Sequence, residues 1–246
     1  MQDDTNSAVG QLASRARESV VPQGHRRLVD PEIHGAEPEF DLYYFGFSIC
    51  SNKVRAVLGE LGAAWRSYEL DPGSHENYKP DYVRLRLTSA AAQNGSFASG
   101  WEGGSSVTES GFDALVVPTL VDYRSWEVVA DSLSICLHLV RTSSMAQALI
   151  PEDLQTDIHA QLDIVDQPPH VALLYGANPD GDTRAYVYRR IFKGEHLAKV
   201  KAAERLYARP AISAAVAHWP SHPWSRPVAK WMPRPGWRKW AMGFGS

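Results

Sequence analysis

The stretch FDLYYFGFSICSNKVRAVLGELG, residues 40–62, decides the fold because its hydrophobic period changes on either side of Cys50. Before the cysteine, Leu42 and Tyr44 alternate with other residues as in a β-strand. After it, aliphatic residues recur at the helical spacings i, i+3, i+4 and i+7. These residues are Val54, Val57, Leu58 and Leu61. The sequence therefore predicts a strand followed by an amphipathic helix that begins within a residue or two of Cys50.

Cys50 is predicted to be chemically active because it lies at this helix start. Ser48 and Ser51 are suitable N-cap residues, and the unpaired amides of a first helical turn carry partial positive charge. Lys53 and Arg55 add cationic charge nearby. Such surroundings lower a cysteine pKa from its ordinary value of about 8.5, and the thiolate is the nucleophilic form. We therefore expect a lowered pKa for the Cys50 thiol.

Cys136, the second cysteine, has a different setting. It lies in the apolar stretch DSLSICLHLV, where Leu133, Leu137 and Val140 share one helical face. Free cysteine often serves as a small buried hydrophobic residue. Cys136 is therefore predicted to be structural.

The bulk composition is that of an ordinary globular protein. With 246 residues, 44% of them hydrophobic, and a net charge of −3, the chain can bury a substantial core. Two widely separated cysteines and no Cys/His cluster favour a reducing compartment and no metal site. No apolar run approaches the roughly 18 residues of a membrane span, and the N-terminus lacks the apolar centre of a secretory signal. We expect a cytoplasmic protein with no transmembrane segment.

The near-neutral charge argues against nucleic acid as a partner, although the C-terminal end is unusual. Residues 219–246 hold five of the eight tryptophans, five basic residues and no acidic residue. Interleaved aromatic and basic side chains suit a membrane surface or single-stranded nucleic acid. Frequent prolines nevertheless break any long amphipathic helix there. The preferred prediction is a tail that packs on the domain or on a partner subunit.

The chain divides by composition into an α/β half and an all-helical half. Residues 1–38 lack sustained apolar periodicity and are expected to form a mobile or loosely docked extension. Residues 39–145 show the order β-α-β-(α)-β-β-α, interrupted by a Gly, Ser and Ala-rich inserted loop at 88–113. Residues 150–218 have helical patterns only. Residues 219–246 form the tail.

Pro118 interrupts the apolar stretch ALVVPTLVD. A proline within a strand removes a hydrogen-bond donor of the sheet, so it belongs at a strand end or a bend, where a cis peptide bond is one option. Such a bend leaves neighbouring backbone groups free to bind a ligand.

These features resemble the glutathione S-transferase superfamily, whose members join a thioredoxin-like N-terminal domain to an all-helical C-terminal domain. The segments SICSNKVR, NYKPDYVRL and VVPTLV and the later Asp-Ser pair are most similar to the bacterial reductive dehalogenases of chlorinated hydroquinones, which use a cysteine at the position of Cys50. The resemblance covers residues 40–142 well. Over residues 150–218 it rests on the helical layout alone.

The resemblance implies a binding site for glutathione as co-substrate. Val117, just before Pro118, would offer its backbone N–H and C=O to the cysteinyl part of glutathione, as a strand edge does to an added strand. Asp131 would pair with the γ-glutamyl ammonium, and Ser132 with the adjoining helix start would hold its carboxylate. Lys53 is also assigned to the binding of glutathione.

Two chemistries fit a cysteine followed by Ser51 and Asn52, because no second cysteine follows at the spacing that thioredoxins use. In conjugation, the glutathione thiolate attacks, and Ser48, Cys50 or Ser51 stabilises it by hydrogen bonding. In the reductive route that the resemblance implies, the Cys50 thiolate attacks the sulfur of a glutathionyl adduct, and a second glutathione clears the resulting mixed disulfide.

The substrate is expected to be a small aromatic compound bound between the domains, where Phe47, Tyr175, Tyr186 and Tyr188 are candidate pocket residues. A halogenated hydroquinone and a lignin-type aryl ether, cleaved by a β-etherase-like transferase, both remain open. A non-catalytic binding subunit with this fold is the third alternative. The resemblance implies a homodimer, and the sequence is equally compatible with a heterodimer.

Overall fold

The structure is a computed structural model that describes residues 8–20, 37–94, 112–144 and 146–166, together with some of the positions between 185 and 202. The chain divides into two compact units, Met1–Pro168 and Pro169–Ser246. The described positions from 186 to 202 in the second unit are helical. The candidate site lies in the first unit.

A four-stranded mixed sheet organises the first unit. Its strands are β1 (Phe40–Tyr44), β2 (Trp65–Glu69), β3 (Thr119–Asp122) and β4 (Glu127–Ala130), in the spatial order β2-β1-β3-β4. β1 pairs in parallel with β2 and antiparallel with β3, and β3 pairs antiparallel with β4. The four strands occur along the chain in the predicted order, and the mixed sheet confirms the thioredoxin-like class.

Helices precede, separate and follow the strands. They are α1 (Ala8–Val20), α2 (Ile49–Glu60), α3 (Pro80–Leu87), α4 (Ala90–Asn94), α5 (Ser132–Arg141), α6 (Ala146–Leu149) and α7 (Gln155–Asp166). Short 3-10 turns lie at Pro72–Ser74, Glu76–Tyr78 and Glu152–Leu154. Among the described helices, none is long and apolar enough to cross a membrane.

The central strand β1 is buried on both faces, as a covered parallel strand should be. Phe40, Leu42 and Tyr44 contribute to an apolar cluster with residues of α2 and α5. The alternate residue Tyr43 points to the other face, where its ring stacks on Tyr68 at 5.1 Å. The α2 positions singled out by the helical spacing face the first cluster, as predicted.

The N-terminal segment departs from the sequence prediction. Residues 8–20, expected to be loosely docked, form α1, whose small residues Ala13 and Ala16 are fully buried. The hydroxyl of Tyr43 donates to the Ala13 carbonyl at 3.3 Å, and Lys79 Nζ donates to Ser19 O at 2.5 Å. The expectation missed α1 because three of its four buried residues are alanine or glycine, which give little apolar periodicity.

The inserted segment is helical where it begins. α4 occupies Ala90–Asn94, and Phe112 is buried where the described chain resumes. The rest of the predicted loop, at 95–111, lies outside the described residues. The tail at 219–246 lies outside them as well.

Candidate functional site

The start of α2 has the capped geometry that its sequence predicts. Ser48 is the N-cap, and its Oγ accepts a hydrogen bond from Ser51 N at 3.2 Å. Ser51 is not a cap: it is fully buried, and its Oγ accepts from Phe45 N at 3.2 Å. Cys50 is therefore the second residue of the helix, held between two serines whose hydroxyls both organise the turn.

The electrostatic setting of Cys50 corrects the sequence expectation. Burial raises the pKa of the Cys50 thiol above its ordinary value, and Asp131 and Asp166 raise it further by their negative charge. The Ser132 hydroxyl and the Lys53 ammonium lower the pKa without reversing the shift. The expected lowered pKa is wrong for this structure because desolvation outweighs the Ser132 hydrogen bond and the nearby cation.

Lys53 is engaged by a partner that the sequence did not indicate. Its Nζ lies 2.5 Å from Oδ1 of Asp166, the last residue of α7. Both side chains are largely buried, with 19% and 3% of their surface exposed. Lys53, which was assigned to the binding of glutathione, therefore pairs with a carboxylate of this chain.

The segment before β3 has the predicted bend. The Val117–Pro118 peptide is cis, and β3 begins directly afterwards at Thr119. Among the described residues, neither the N–H nor the C=O of Val117 has a hydrogen-bond partner. Within the described part of the chain, Val117 thus offers an unpaired donor and an unpaired acceptor, as binding to the backbone of a peptide requires.

Side chains of α3 donate hydrogen bonds to backbone carbonyls near Val117. Arg86 donates from Nε to Asp113 O at 3.0 Å and from Nη1 to Pro118 O. Tyr82 donates to Val116 O at 2.7 Å. Sequence reasoning missed both residues, although their i, i+4 spacing in α3 was a signal that a tyrosine and an arginine share one face.

Asp131 and Ser132 form the junction between β4 and α5. Asp131 caps α5 by accepting from Ser134 N at 3.1 Å, and Ser132 is the first helical residue. Asp131 has φ 78°, a conformation that is uncommon for a residue other than glycine. Burial raises its pKa, against the lowering effects of the Ser134 N–H and of Lys53.

The sheet register brings these separate segments to one edge. Thr119 at the start of β3 lies opposite Ala130 at the end of β4, so the Val117–Pro118 pair lies beside the Asp131–Ser132 pair. Thr119 also lies opposite Tyr43 near the end of β1, which leads into the start of α2. Asp131 and Ser132 both act on the pKa of the Cys50 thiol, so this pair lies near the start of α2.

The predicted aromatic pocket residues are only partly described. Phe47 is 89% exposed just before α2, with its ring 5.6 Å from that of Phe45. Tyr186 and Tyr188 are exposed in the second unit, and Tyr175 lies outside the described residues. Their role in a substrate pocket stays a prediction.

Cys136 is buried within the apolar cluster between α2 and α5, which confirms its predicted structural place. Burial raises its pKa to about 12. Within the described ranges, no group of three or more His, Cys, Asp or Glu side chains is placed to hold a metal ion.

Residues 47–142 match the family model of the glutathione S-transferase N-terminal domain. The matched segment contains Cys50, the Val117–Pro118 pair and the Asp131–Ser132 pair, all of which the sheet brings to one edge. This segment is therefore a domain of the glutathione S-transferase N-terminal type.

Curated relatives lie among bacterial dehalogenating enzymes. Two proteins of Sphingobium indicum strains, each named 2,5-dichlorohydroquinone reductive dechlorinase, are 42% identical to this chain over 205 residues. The alignment covers 79% of this chain, and this chain spans 59% of the relatives' length. A tetrachloro-p-hydroquinone reductive dehalogenase of Sphingobium chlorophenolicum is 45% identical over 49 residues, 20% of either chain.

Similar solved structures include Ure2p in complex with glutathione, with 19% identity, a TM-score of 0.39, and coverage of 74% of this chain and 69% of that one. Another is a glutathione transferase from Phanerochaete chrysosporium in complex with oxidized glutathione, with 18% identity, a TM-score of 0.40, and coverage of 84% and 86%.

Proposed function

We propose that this protein is a glutathione-dependent enzyme that removes a halogen reductively from an aromatic substrate of the chlorinated hydroquinone class. The observation that carries the proposal is the Cys50 thiol at the start of α2, beside the Asp131–Ser132 pair. The 42% identity to proteins named 2,5-dichlorohydroquinone reductive dechlorinase supports the reaction class.

Glutathione is the proposed co-substrate, held along the edge where the segments meet. The free N–H and C=O of Val117 would pair with its cysteinyl residue, next to Pro118. The carboxylate of Asp131 would pair with its ammonium, and the Ser132 hydroxyl with the start of α5 would hold the γ-glutamyl carboxylate. This placement brings the glutathione sulfur toward Cys50.

The proposed reaction uses two molecules of glutathione. The first replaces the halogen on the aromatic ring and leaves a carbon–sulfur bond, with loss of halide. The Cys50 thiolate then attacks that sulfur: an S–S bond forms, the carbon–sulfur bond breaks, and the ring carbon takes a proton. The second glutathione thiolate displaces Cys50 from the mixed disulfide. The ring gains two electrons, and the two glutathiones leave as oxidised glutathione.

The raised pKa of Cys50 favours a second candidate, an aryl-ether-cleaving or conjugating transferase. In that reaction the glutathione thiolate attacks carbon, and a protonated Cys50 stabilises the thiolate by donating a hydrogen bond. Ser48 and Ser51 were predicted to share this role. Both hydroxyls already accept backbone hydrogen bonds, but each keeps an O–H to donate.

Product analysis separates the two candidates. The full chain is incubated with glutathione and 2,5-dichlorohydroquinone, and chloride, oxidised glutathione and organic products are quantified. We expect the unmodified protein to yield chloride, oxidised glutathione and the dechlorinated hydroquinone in equal amounts. Cys50→Ser should release chloride but accumulate the glutathionyl adduct, since an alcohol does not attack sulfur effectively. Cys136→Ser is the matched control. Equal reduced product from Cys50→Ser would contradict the proposal.

The quaternary structure and the location are further proposals. We expect a homodimer, with a heterodimer as the alternative, and a cytoplasmic enzyme. A non-catalytic binding subunit is the remaining alternative; it would give neither chloride nor adduct in the same experiment.

A further inference from the structure

A charged pair lies one helical turn from the candidate nucleophile. Lys53 follows Cys50 by three residues on α2, so the two side chains share a helix face. The Lys53 ammonium nevertheless lies 2.5 Å from Asp166 Oδ1, in a pair that is largely buried. The cation that would stabilise a Cys50 thiolate is thus held by a carboxylate of α7.

Asp166 uses only one of its two carboxylate oxygens, Oδ1, in this pair. Among the residues that the structure describes, its buried Oδ2 atom has no hydrogen-bond partner. A buried carboxylate oxygen that lacks a hydrogen-bond donor costs free energy. A buried ion pair is also a weak stabilising device. Stability alone therefore gives a poor account of this aspartate.

In the described part of the chain, the groups that act on the Cys50 thiol lie on three helices. Lys53 lies on α2, Asp131 and Ser132 lie at the start of α5, and Asp166 ends α7. Lys53 and Ser132 favour the thiolate, whereas Asp131 and Asp166 oppose it. Asp166 acts twice, since its own charge opposes the thiolate and it also neutralises Lys53.

We propose that Asp166 is a positioning residue that restrains the reactivity of the Cys50 thiol by drawing the Lys53 ammonium to its own carboxylate. This role rests on the proposed function, because the reactivity of Cys50 matters only if it is the nucleophile. The coupling among the three residues can nevertheless be measured without glutathione or substrate.

The test is the rate at which iodoacetamide alkylates Cys50 in the folded full chain between pH 6 and 10, followed by mass spectrometry of each cysteine. Asp166→Asn keeps the shape and removes the charge. At neutral pH it should raise the rate about tenfold, equivalent to a pKa lowered by about one unit, with little change at the alkaline plateau. Lys53→Met should slow the reaction at neutral pH. Asp157→Asn, an exposed aspartate of the same helix, is the control and should have no effect.

The double variant Asp166→Asn with Lys53→Met distinguishes an effect of Asp166 that acts through Lys53 from a direct effect of the Asp166 charge on Cys50. Asp166→Asn should accelerate alkylation much less when Lys53 is already methionine, because the released ammonium is then missing. An equal acceleration in both backgrounds, or no acceleration at all, would overturn the role. Labelling of Cys136 reports unfolding. If Asp166→Asn exposes Cys136, the Lys53→Met variant provides the test instead. An unchanged alkylation rate of Cys50 in Lys53→Met would then overturn the role.

These outcomes are separable from the proposed function. A shifted alkylation profile without reductive dehalogenation would contradict the proposed function alone. Reductive dehalogenation with an unshifted profile would contradict only the role of Asp166.

Discussion

The Nη1 atom of Arg86 lies 2.8 Å from Thr119 Oγ1, at the first residue of β3. The same guanidinium donates to the carbonyls of Asp113 and Pro118, and its side chain is almost fully buried. A charged side chain from α3 thus fixes the strand start beside the free backbone groups of Val117.

Removal of this guanidinium should weaken both the fold and the site. Arg86→Met leaves buried acceptors unpaired, so we expect about 2–4 kcal/mol less free energy of unfolding and weaker glutathione binding. Urea unfolding and calorimetric titration measure the two effects. Arg84→Met is the matched control on the same helix, because Arg84 forms a partly exposed pair with Asp81 and should cost at most about 1 kcal/mol. Equal losses in the two variants would contradict this account of Arg86.

Asp131 should favour ligand binding at the expense of stability. Burial raises its pKa, so ionisation of Asp131 lowers the free energy of unfolding. This cost is absent below the ordinary pKa of a free aspartate and is complete once the pH exceeds the raised pKa. Asp131→Asn tolerates the positive φ and keeps the capping oxygen. At pH 7 we expect unchanged or higher stability but about tenfold weaker glutathione binding, and a stability difference that vanishes below the ordinary pKa of about 3.9. Unchanged affinity would contradict the assigned ammonium contact.

Asp122 should stabilise the fold at neutral pH and lose this effect in acid. Burial alone would raise its pKa, but hydrogen bonds with His138 and Arg124 outweigh burial and hold the pKa well below its usual range. The contribution of Asp122 to the free energy of unfolding is therefore complete above its pKa in the unfolded chain, about 3.9, and is lost as the pH falls below that value. Asp122→Asn should cost about 2 kcal/mol at pH 7 and progressively less toward pH 2.

Urea unfolding of this variant across that pH range provides the check. Asp81→Asn changes the same charge in a partly exposed pair and should have a small effect that depends little on pH. A cost for Asp122→Asn that stays constant down to pH 2 would exclude the depressed pKa.

The two cysteines should differ in reactivity. Burial raises the pKa of Cys136 to about 12, whereas Cys50 is only partly buried. At pH 8–9 we expect iodoacetamide to label Cys50 in the native protein and Cys136 only after unfolding, since the thiolate is the reactive form. Peptide mass mapping reads out each site. Comparable native labelling of both would contradict the burial assigned to Cys136.

Local patterns in the sequence predicted the elements that carry the site. The change of period at Cys50 placed the start of α2 and its buried face, and Pro118 placed the start of β3. Both predictions depend on features within a few residues. The helix start follows from its cap and its apolar stripe, and the strand start follows from the N–H that proline lacks. Glutathione S-transferase resemblance then supplied roles for Val117, Asp131 and Ser132, which the sheet brings to one edge.

Long-range contacts account for what the sequence did not predict. The direction of the Cys50 pKa shift depends on burial and on Asp166, which lies more than a hundred residues away in the chain. The fastening of the Val117 segment by Arg86 depends on α3 packing beside it. The spacing of Tyr82 and Arg86 in α3 indicates a shared helix face but not the partner of that face, and no local pattern indicates the pairing of Asp166 with Lys53.

The most direct test of the central claim, that Cys50 exchanges thiols with glutathione, is the intact mass of the full chain after incubation with oxidised glutathione at several pH values. We predict one glutathione adduct, formed more readily as the pH rises toward the raised pKa of Cys50, lost in Cys50→Ser and retained in Cys136→Ser. Failure to form an adduct, or an adduct that persists in Cys50→Ser, would contradict the claim.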